Sequence, residues 1–230
     1  MAYFESEFWH PSVATDAVIL SLRENILSVL IAKRIDKRGW ALPGGFIRKG
    51  ESLDECVKRE LKEEAGIEVP YLKQFANYSE PLRDERGQTI SVAYVAVYPS
   101  GKLKLKADTD VIDVKWVPFA DLPKLAFDHN EILDYARERL KRRVKRRPIG
   151  FSLLPKEFTM YNLQRLYECA LSKNFDKRNF RRKVLKSDLL IETDKKTRSS
   201  TRAKRPSKLY QFDEKKYRTL SLKGYDFVYQ

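Results

Sequence analysis

Residues 45–67 read GFIRKGESLDECVKRELKEEAGI, and this stretch constrains the fold and the chemistry of the chain more than any other. Glu60, Glu63 and Glu64 stand at positions i, i+3 and i+4, a spacing that places three carboxylates on one side of a helix. Apolar residues recur at every fourth position on the other side. The pattern therefore predicts a helix over residues 53–65 that packs against a core.

The acidic side of this helix predicts a metal site. Three crowded carboxylates reduce stability unless a cation neutralises them. Oxygen ligands suit Mg²⁺ or Mn²⁺, and these ions in turn suit diphosphate substrates. A single glutamate on a helix that also carries Lys58 and Lys62 is usually only part of a solvated face. Here the acids follow a Pro-Gly-Gly turn at 43–45, a lone Glu51 and Arg59, and this combination indicates a functional site.

The composition bounds the class of protein. A length of 230 residues is comfortable for two domains, and a hydrophobic content of 42% is enough for real cores. No apolar run is long enough to cross a bilayer and the first residues lack a signal pattern, so we expect no membrane partner. The chain has two cysteines, Cys56 and Cys169, and two histidines, His10 and His129. A disulfide or a zinc site is therefore not expected, and a reducing cytoplasm fits best.

The net charge of +14 is distributed unevenly along the chain. Residues 1–146 hold 25 Lys and Arg against 23 Asp and Glu, a net charge of +2. Residues 147–230 hold 21 against 9, a net charge of +12. A small domain with such a surplus usually binds a polyanion, most often nucleic acid. A basic stretch that ends in Pro148 and Gly150 marks the change, so we predict two domains, 1–146 and 147–230.

The first predicted domain combines strands with two helices. Alternating or short apolar patterns predict strands over residues 12–22, 26–33, 71–77, 89–98 and 111–117, and a strand end that leads into the glycine turn at 39–46. A second amphipathic helix is predicted over residues 130–144. Its apolar side is expected to consist of Ile132, Leu133, Tyr135 and Leu140. These elements predict a mixed sheet flanked by helices.

The second predicted domain has a different order of elements. Thr159 is placed to cap a helix that ends near residue 171, and Asp176 to cap a second helix that ends near residue 186. Two short strands are predicted over residues 189–193 and 209–212, with a polar loop rich in Lys, Arg and Ser between them. Two helices joined by a tight turn and followed by a hairpin with a basic tip are the order of a winged helix-turn-helix.

The second of these helices is predicted to contact DNA. Phe180 and Val184 are four residues apart and should face the core, which leaves basic side chains on the other side. Arg and Asn make paired hydrogen bonds to guanine and adenine edges, while neighbouring cations contact phosphates. The predicted contacts on the helix are Lys177, Arg178, Asn179, Arg181, Arg182 and Lys186, with Lys183 beside them. Those on the wing are Lys195, Lys196, Arg198, Arg202, Lys204 and Arg205.

Two sets of motifs resemble a known family. Residues 45–67 match, position for position, the Nudix box G-x5-E-x7-R-E-U-x-E-E-x-G-U, in which U is a bulky aliphatic residue. The segments FDHNEIL (127–133), PIGFSLLPKEFT (148–159), LQRLYE (163–168) and DKRNFRRKV (176–184) are similar to those of the Nudix-related transcriptional regulators, the NrtR group. The resemblance implies an α/β protein, a Nudix-type α/β/α sandwich followed by a small winged helix-turn-helix domain. It also implies a homodimer that binds operator DNA and responds to ADP-ribose or a related metabolite.

The resemblance also implies roles for the residues of the box. The implied metal ligands, for Mg²⁺ or Mn²⁺, are Glu60, Glu63, Glu64 and a backbone carbonyl at Gly44 or Gly45. Glu51 would pair with Arg59 and steady the loop, which completes the implied catalytic set. Many regulators of this group have incomplete boxes, whereas this box is complete, so hydrolysis of the bound diphosphate is expected. Asp108 and Asp110 are candidates for a remote base.

Two alternatives stay open from the sequence. One is a metabolic pyrophosphatase of the ADP-ribose type whose C-terminal domain has no role in gene regulation. The other is a regulator whose winged helix senses a sugar-linked metabolite, with a Nudix domain that is purely a receptor. The charge of the last third of the chain argues against the first alternative, because a dimerisation domain has no need of +12.

Overall fold

The structure is a computed structural model that describes residues 9–36, 38–69, 71–98, 111–146, 153–197 and 206–222. Its strands are β1 (Ser12–Arg23), β2 (Ile26–Arg34), β3 (Trp40–Ala41), β4 (Gly44–Phe46), β5 (Lys73–Tyr78), β6 (Thr89–Val97), β7 (Val111–Pro118), β8 (Phe158–Thr159), β9 (Leu190–Lys196) and β10 (Lys208–Phe212). Its helices are α1 (Leu53–Ala65), α2 (His129–Arg146), α3 (Met160–Leu171), α4 (Lys177–Lys186) and α5 (Glu214–Leu222). Every predicted helix and strand is present, with ends that differ by a few residues at most.

Seven strands form one mixed sheet in the first part of the chain. The order is β3-β2-β1-β6-β5, with β4 paired to β1 and β7 paired to β2. The central strands β1 and β6 run parallel, and the other pairs of this sheet are antiparallel. Most of β1 is buried, which is why it reads as a nearly unbroken run of apolar and small residues.

Helices cover both faces of this sheet. Ile19 of β1 packs in one core with Val57 of α1. Leu20 points to the other face, because side chains alternate along a strand, and it packs in a second core with Ile132 of α2. This α/β/α sandwich confirms the predicted fold class. Tyr135, predicted on the apolar side of α2, is instead 42% exposed, because it lies at the margin of that side and stacks on an aromatic ring of β5.

The second part of the chain is a winged helix. Strands β8, β10 and β9 form a three-stranded sheet in that order, beside α3 and α4. The predicted caps are present, since the Thr159 hydroxyl accepts from the Asn162 amide and the Asp176 carboxylate accepts from the Asn179 amide. Strand β9 extends three residues past the predicted end, because Lys196 still pairs with Lys208 of β10. Strand β8 and helix α5 were not predicted.

The two parts of the chain share one apolar core. Leu140 of α2 belongs to the same buried cluster as Leu163 of α3. At the turn between β1 and β2, the Asn25 side chain accepts from Asn162 Nδ2 at 2.7 Å. The winged helix therefore packs directly against the seven-stranded sheet and its helix α2. None of the helices that the structure describes is both long and apolar enough to span a bilayer.

Candidate active site and nucleic-acid interface

Helix α1 is fixed at both ends, which sets the positions of the box glutamates. The Ser52 hydroxyl accepts from the Glu55 amide, and the Glu55 carboxylate accepts from the Ser52 amide, so a capping box begins the helix. Gly66 ends the helix in the left-handed conformation, with a φ of 66° that glycine adopts without strain. The helix covers Leu53–Ala65, as the sequence predicts.

Arg59 ties the helix to the loop before it. Its Nε and Nη2 donate to the two oxygens of Glu51 at 2.7 and 3.0 Å, a bidentate pair. Its Nη1 donates to Glu60 at 2.6 Å and to Glu63 at 3.0 Å, and its Nη2 also donates to the Phe46 carbonyl. The hydrogen bonds from Arg59 lower the pKa of Glu51 to about 2. The structure thus pairs Glu51 with Arg59, as the family resemblance implies.

Glu64 and Glu60 are the more buried acids of the box. Glu64 is 5% exposed, and its Oε2 accepts from the Gly44 amide at 2.9 Å. Burial raises the pKa of Glu64 to about 8, and the nearby carboxylates of Glu60 and Asp16 add to this. Burial also raises the pKa of Glu60. A Cβ at Gly45 would displace the Glu60 carboxylate, whereas a Cβ at Gly44 would overlap the backbone carbonyl of Thr15, so the close approach of strand and glycine turn requires glycine at residue 44.

These acids fit a hard divalent cation by the chemistry of their donors. Glu60, Glu63 and Glu64 lie on one side of α1. Glu60 and Glu63 both accept hydrogen bonds from Arg59, whereas Glu64 accepts from the Gly44 amide of β4. Within the described ranges, no three acidic, His or Cys side chains converge on a common point. The buried Glu64 and the partly buried Glu60, both with raised pKa values, nevertheless form an oxygen-rich set that a divalent cation would neutralise.

The Glu51–Arg59 pair should contribute stability that depends on pH. We expect Glu51→Gln to lower the free energy of unfolding by about 1 kcal/mol at neutral pH, because Arg59 loses a charged partner. The folded pKa lies below the unfolded value, so this contribution is present above about pH 4.5 and disappears as the pH falls toward 2. Urea unfolding of parent and variant at several pH values measures the difference. Glu68→Gln, which changes an exposed pair with Lys62, is the control, and a difference that does not shrink in acid would contradict the assignment.

A pocket of about 340 Å³ opens beside the box. Its lining includes the acids Glu60 and Glu64 and the cations Arg34, Arg83 and Arg86. Two aromatic rings also line it, and the Arg86 guanidinium lies 5.0 Å from the ring centre of Phe46 and 5.2 Å from that of Phe127. Phe127 has a φ of 55°, an unusual value for a non-glycine residue and one often found at ligand sites. The pocket offers cations and aromatic faces together.

A buried polar network supports the floor of this pocket, and the sequence analysis did not identify it. Arg83, whose side chain is 4% exposed, donates to Asp128 at 2.8 and 2.5 Å, and its Nη2 lies 3.6 Å from Asp16. His129 Nδ1 accepts from the Leu42 amide at 2.9 Å, which leaves Nε2 facing Asp16 Oδ1 at 3.3 Å. Burial lowers the pKa of His129, so the ring is neutral. Asp16 is the one acidic residue within the apolar run VATDAVIL, and this was the signal by which the sequence could have indicated a buried functional carboxylate.

Helix α4 presents the predicted DNA-contacting side chains to solvent. Phe180 and Val184 are buried, as predicted, and they hold the helix against the core. The exposed polar side chains on α4 are Lys177, Arg178, Asn179, Arg181, Arg182, Lys183 and Lys186. Arg182 donates to Asn179 at 2.9 Å on the outer face, whereas Arg181 turns toward the wing and donates to the Tyr210 hydroxyl at 3.0 Å.

The wing residues are only partly described. Lys195 and Lys196 are exposed on β9, and Lys195 donates to Glu157 at 2.9 Å. Four predicted wing contacts, Arg198, Arg202, Lys204 and Arg205, lie outside the described residues. The two candidates for a remote base, Asp108 and Asp110, also lie outside them.

The fold and these sites define a class of protein, a Nudix domain joined to a winged helix. Family models agree: the NUDIX domain matches residues 10–136, and the NrtR DNA-binding winged helix domain matches residues 150–212. The "ADPR responsive transcriptional repressor NtrR" of Acinetobacter baylyi is 34% identical over 236 residues, covering 98% of this chain and 88% of that protein. The chain belongs to the NrtR family of Nudix-related transcriptional regulators.

Two further relatives are similar to parts or to most of the chain. The crystal structure of Shewanella oneidensis NrtR complexed with a 27mer DNA has a TM-score of 0.70 and 33% identity, covering 87% of this chain and 93% of that one. The ADP-ribose pyrophosphatase of Methanocaldococcus jannaschii is 41% identical over 135 residues, 56% of this chain and 76% of that protein. One relative thus shares the arrangement of both domains, and the other shares the Nudix domain.

Proposed function

We propose that this chain is a transcriptional repressor whose Nudix domain binds, and hydrolyses, ADP-ribose or a related nucleoside diphosphate derivative. The observation that carries the proposal is the presence, in one chain, of a complete acidic box beside a cationic and aromatic pocket and of an exposed basic recognition helix. The Acinetobacter relative, named as a repressor responsive to ADPR, supports this combination. The Methanocaldococcus relative, named as an ADP-ribose pyrophosphatase, supports the hydrolytic half.

The pocket beside the box has the groups that a nucleoside diphosphate needs. The guanidinium groups of Arg34 and Arg86 pair with Asp36 and Asp84 in the structure, and they would turn to neutralise a bound diphosphate. An adenine base would stack on the side of Phe127 or Phe46 that the Arg86 guanidinium does not cover. Glu64 and Glu60 line the same pocket, so a metal-bound diphosphate would contact both the acids and the arginines.

Hydrolysis by this site would need a divalent ion, which we propose to be Mg²⁺ or Mn²⁺. The ion would be held by Glu60, Glu63, Glu64 and a carbonyl at Gly44 or Gly45, and it would act as a Lewis acid on the diphosphate. Arg59 and Glu51 position the acids by fixing the loop against α1. Arg86 and Arg34 would offset the charge that develops on the departing phosphate.

The winged helix would carry the regulatory output. We propose that α4 enters the major groove with Arg178, Asn179 and Arg182 toward the bases, while Lys177, Lys186 and the wing cations contact phosphates. Arg181 would assist by holding the wing strand to the helix. We further propose that the boundary between the two domains lies between residues 146 and 147. The protein would bind a palindromic operator as a homodimer. Its location would be the cytoplasm, where that DNA lies. ADP-ribose would change operator affinity because it binds the two dimer geometries unequally.

The aromatic faces of the pocket should matter for ligand affinity. We expect Phe127→Leu to weaken ADP-ribose binding about tenfold or more, because stacking on an aromatic ring contributes about 1–3 kcal/mol per base. Calorimetric titration with ADP-ribose measures this effect. Tyr161→Leu, which changes an exposed ring on α3, is the matched control. Equal affinity of Phe127→Leu and Tyr161→Leu would remove the ring from the ligand site.

The proposal as a whole is tested by two assays on one preparation. Hydrolysis of ADP-ribose with Mg²⁺ or Mn²⁺ tests the enzymatic half, and binding to DNA from upstream of its own and neighbouring genes tests the regulatory half. We expect turnover together with DNA binding that weakens steeply as salt rises, because phosphate contacts release counterions. Turnover without binding above that of random DNA would instead favour a metabolic pyrophosphatase.

A further inference from the structure

A second cavity, of about 600 Å³, lies at the joint between the two parts of the chain. Its walls come from β5 and β6 at the edge of the sheet, from α2, and from α5, which follows the wing. It shares no lining residue with the pocket beside the Nudix box. The volume is within the range of about 300–1,000 Å³ typical of small-molecule sites.

The floor of this cavity is apolar. Phe75 and Val97 line it from the sheet, Ala136 and Leu140 from α2, and Leu153 from the segment that leads into the winged helix. The small side chain at Ala136 leaves open much of the space that a larger residue would fill. Such a floor suits the hydrocarbon or aromatic body of a ligand rather than a nucleotide with several charges.

One partly buried cation in the wall, Arg139, has a buried donor atom without a partner in the described part of the chain. Arg139 lies on the same side of α2 as Ala136 and Leu140, and its Nε is buried without a hydrogen-bond partner among the residues that the structure describes. A buried donor without a partner is unfavourable, and native proteins rarely keep one without a reason. The rest of the Arg139 side chain lines the cavity, so its guanidinium would pair with an acidic group on a ligand.

The rim adds further positive charge. Lys73, Arg143 and Arg218 line the cavity together with Arg139, and Glu214 is the acidic residue among the described lining side chains. Glu214 also lies 3.7 Å from Arg218, so part of its charge is offset. The lining therefore complements an anion at its wall and an apolar body at its floor.

We propose that this cavity is a second ligand site, for a small organic anion with one acidic group on an apolar body. The acidic group contacts Arg139, and the body lies on Phe75, Val97 and Leu140. Because α2 covers the Nudix sheet while α5 follows the wing, the ligand contacts both parts of the chain. This site is independent of the Nudix ligand and extends the proposed function.

The test uses the full-length chain and two related probes. The probe 8-anilinonaphthalene-1-sulfonate carries one acidic group on an apolar body, and N-phenyl-1-naphthylamine is its uncharged counterpart. In a fluorescence titration we expect one molecule of the sulfonate probe to bind per chain, and ADP-ribose should not change its affinity. The affinity of the uncharged probe should be lower by about tenfold or more. Arg139→Met should lower the affinity for the sulfonate probe about tenfold or more, because a hydrogen bond to a charged group is lost while the apolar part of the side chain is kept. Arg142→Met, an exposed change on the same helix, should leave the affinity as it is.

A second variant tests the cavity itself. Ala136→Phe is expected to fill the floor and prevent binding of either probe, and thermal unfolding of each variant checks that it is folded. Equal affinity of Arg139→Met and Arg142→Met, or equal affinity for the two probes, would overturn the proposal. So would a shift from dimer to monomer in Arg139→Met by sedimentation, because this face would then be an interface between copies of the chain.

Discussion

Replacing Glu64 by Gln should lower the rate of ADP-ribose hydrolysis about 100-fold or more and leave DNA affinity unchanged. Loss of a metal ligand removes both the charge and the geometry on which a metal-dependent hydrolysis depends. Glu64 is the most buried of the three box acids, and its pKa of about 8 shows how strongly its surroundings oppose an uncompensated negative charge. The same substitution should therefore also abolish the stabilisation that added Mg²⁺ or Mn²⁺ gives to the parent in thermal unfolding.

The control for this prediction lies just beyond the same helix. Glu68→Gln removes a carboxylate that pairs with Lys62 at the surface, and its turnover should equal that of the parent. Glu63→Gln should behave like Glu64→Gln. Undiminished turnover in both Glu63→Gln and Glu64→Gln would rule out the metal assignment, whereas loss of DNA binding in either variant would show that the change had spread to the winged helix.

Replacing Arg182 by Ala should weaken operator binding about tenfold or more without affecting hydrolysis. Arg182 is exposed on α4, opposite the buried Phe180 and Val184, and its guanidinium is held by Asn179. A bidentate contact from Arg to a base contributes about 1–3 kcal/mol of discrimination, so the loss should be larger for operator than for random DNA.

A matched change distinguishes base contact from general charge. Arg142→Ala removes an exposed guanidinium from α2, outside the winged helix, and should leave operator affinity within experimental error of the parent. Lys186→Ala, at the end of α4, should weaken operator and random DNA equally and reduce the salt dependence. If Arg182→Ala binds the operator as tightly as the parent, that residue does not belong to the reading surface.

Local signals in the sequence predicted the elements that carry the sites. The starts of α3 and α4 were predicted from the caps Thr159 and Asp176, and the structure confirms both. Helix α1 was predicted from its apolar period, and the structure adds the Ser52 cap and the left-handed Gly66 that end it on either side. In each case the cap and the apolar period are encoded within about a dozen residues. The pairing of Glu51 with Arg59 was implied by the family resemblance, and eight residues of helix and turn bring the two together.

The features that were missed depend on contacts between distant residues. Asp16 lies in β1, Arg83 in the loop between β5 and β6, and His129 at the start of α2, so no local pattern connects them. His129 stands in the segment FDHNEIL, on which the family resemblance rests, but its contact with Asp16 is not visible in the sequence. Strand β8 has two residues and is defined only by its pairing with β10. Helix α5 has a mostly polar sequence, and Tyr217 packs on Phe212 of β10, a contact that sequence alone does not show.

We propose that ligand binding at the Nudix domain controls DNA binding by the winged helix. The most direct test is fluorescence anisotropy of labelled DNA, from upstream of its own and neighbouring genes, bound to the protein and titrated with ADP-ribose. We expect the protein to bind this DNA tightly and in a salt-sensitive way, and to release it as ADP-ribose saturates the Nudix domain. Operator binding that stays the same at saturating ADP-ribose would contradict this proposal.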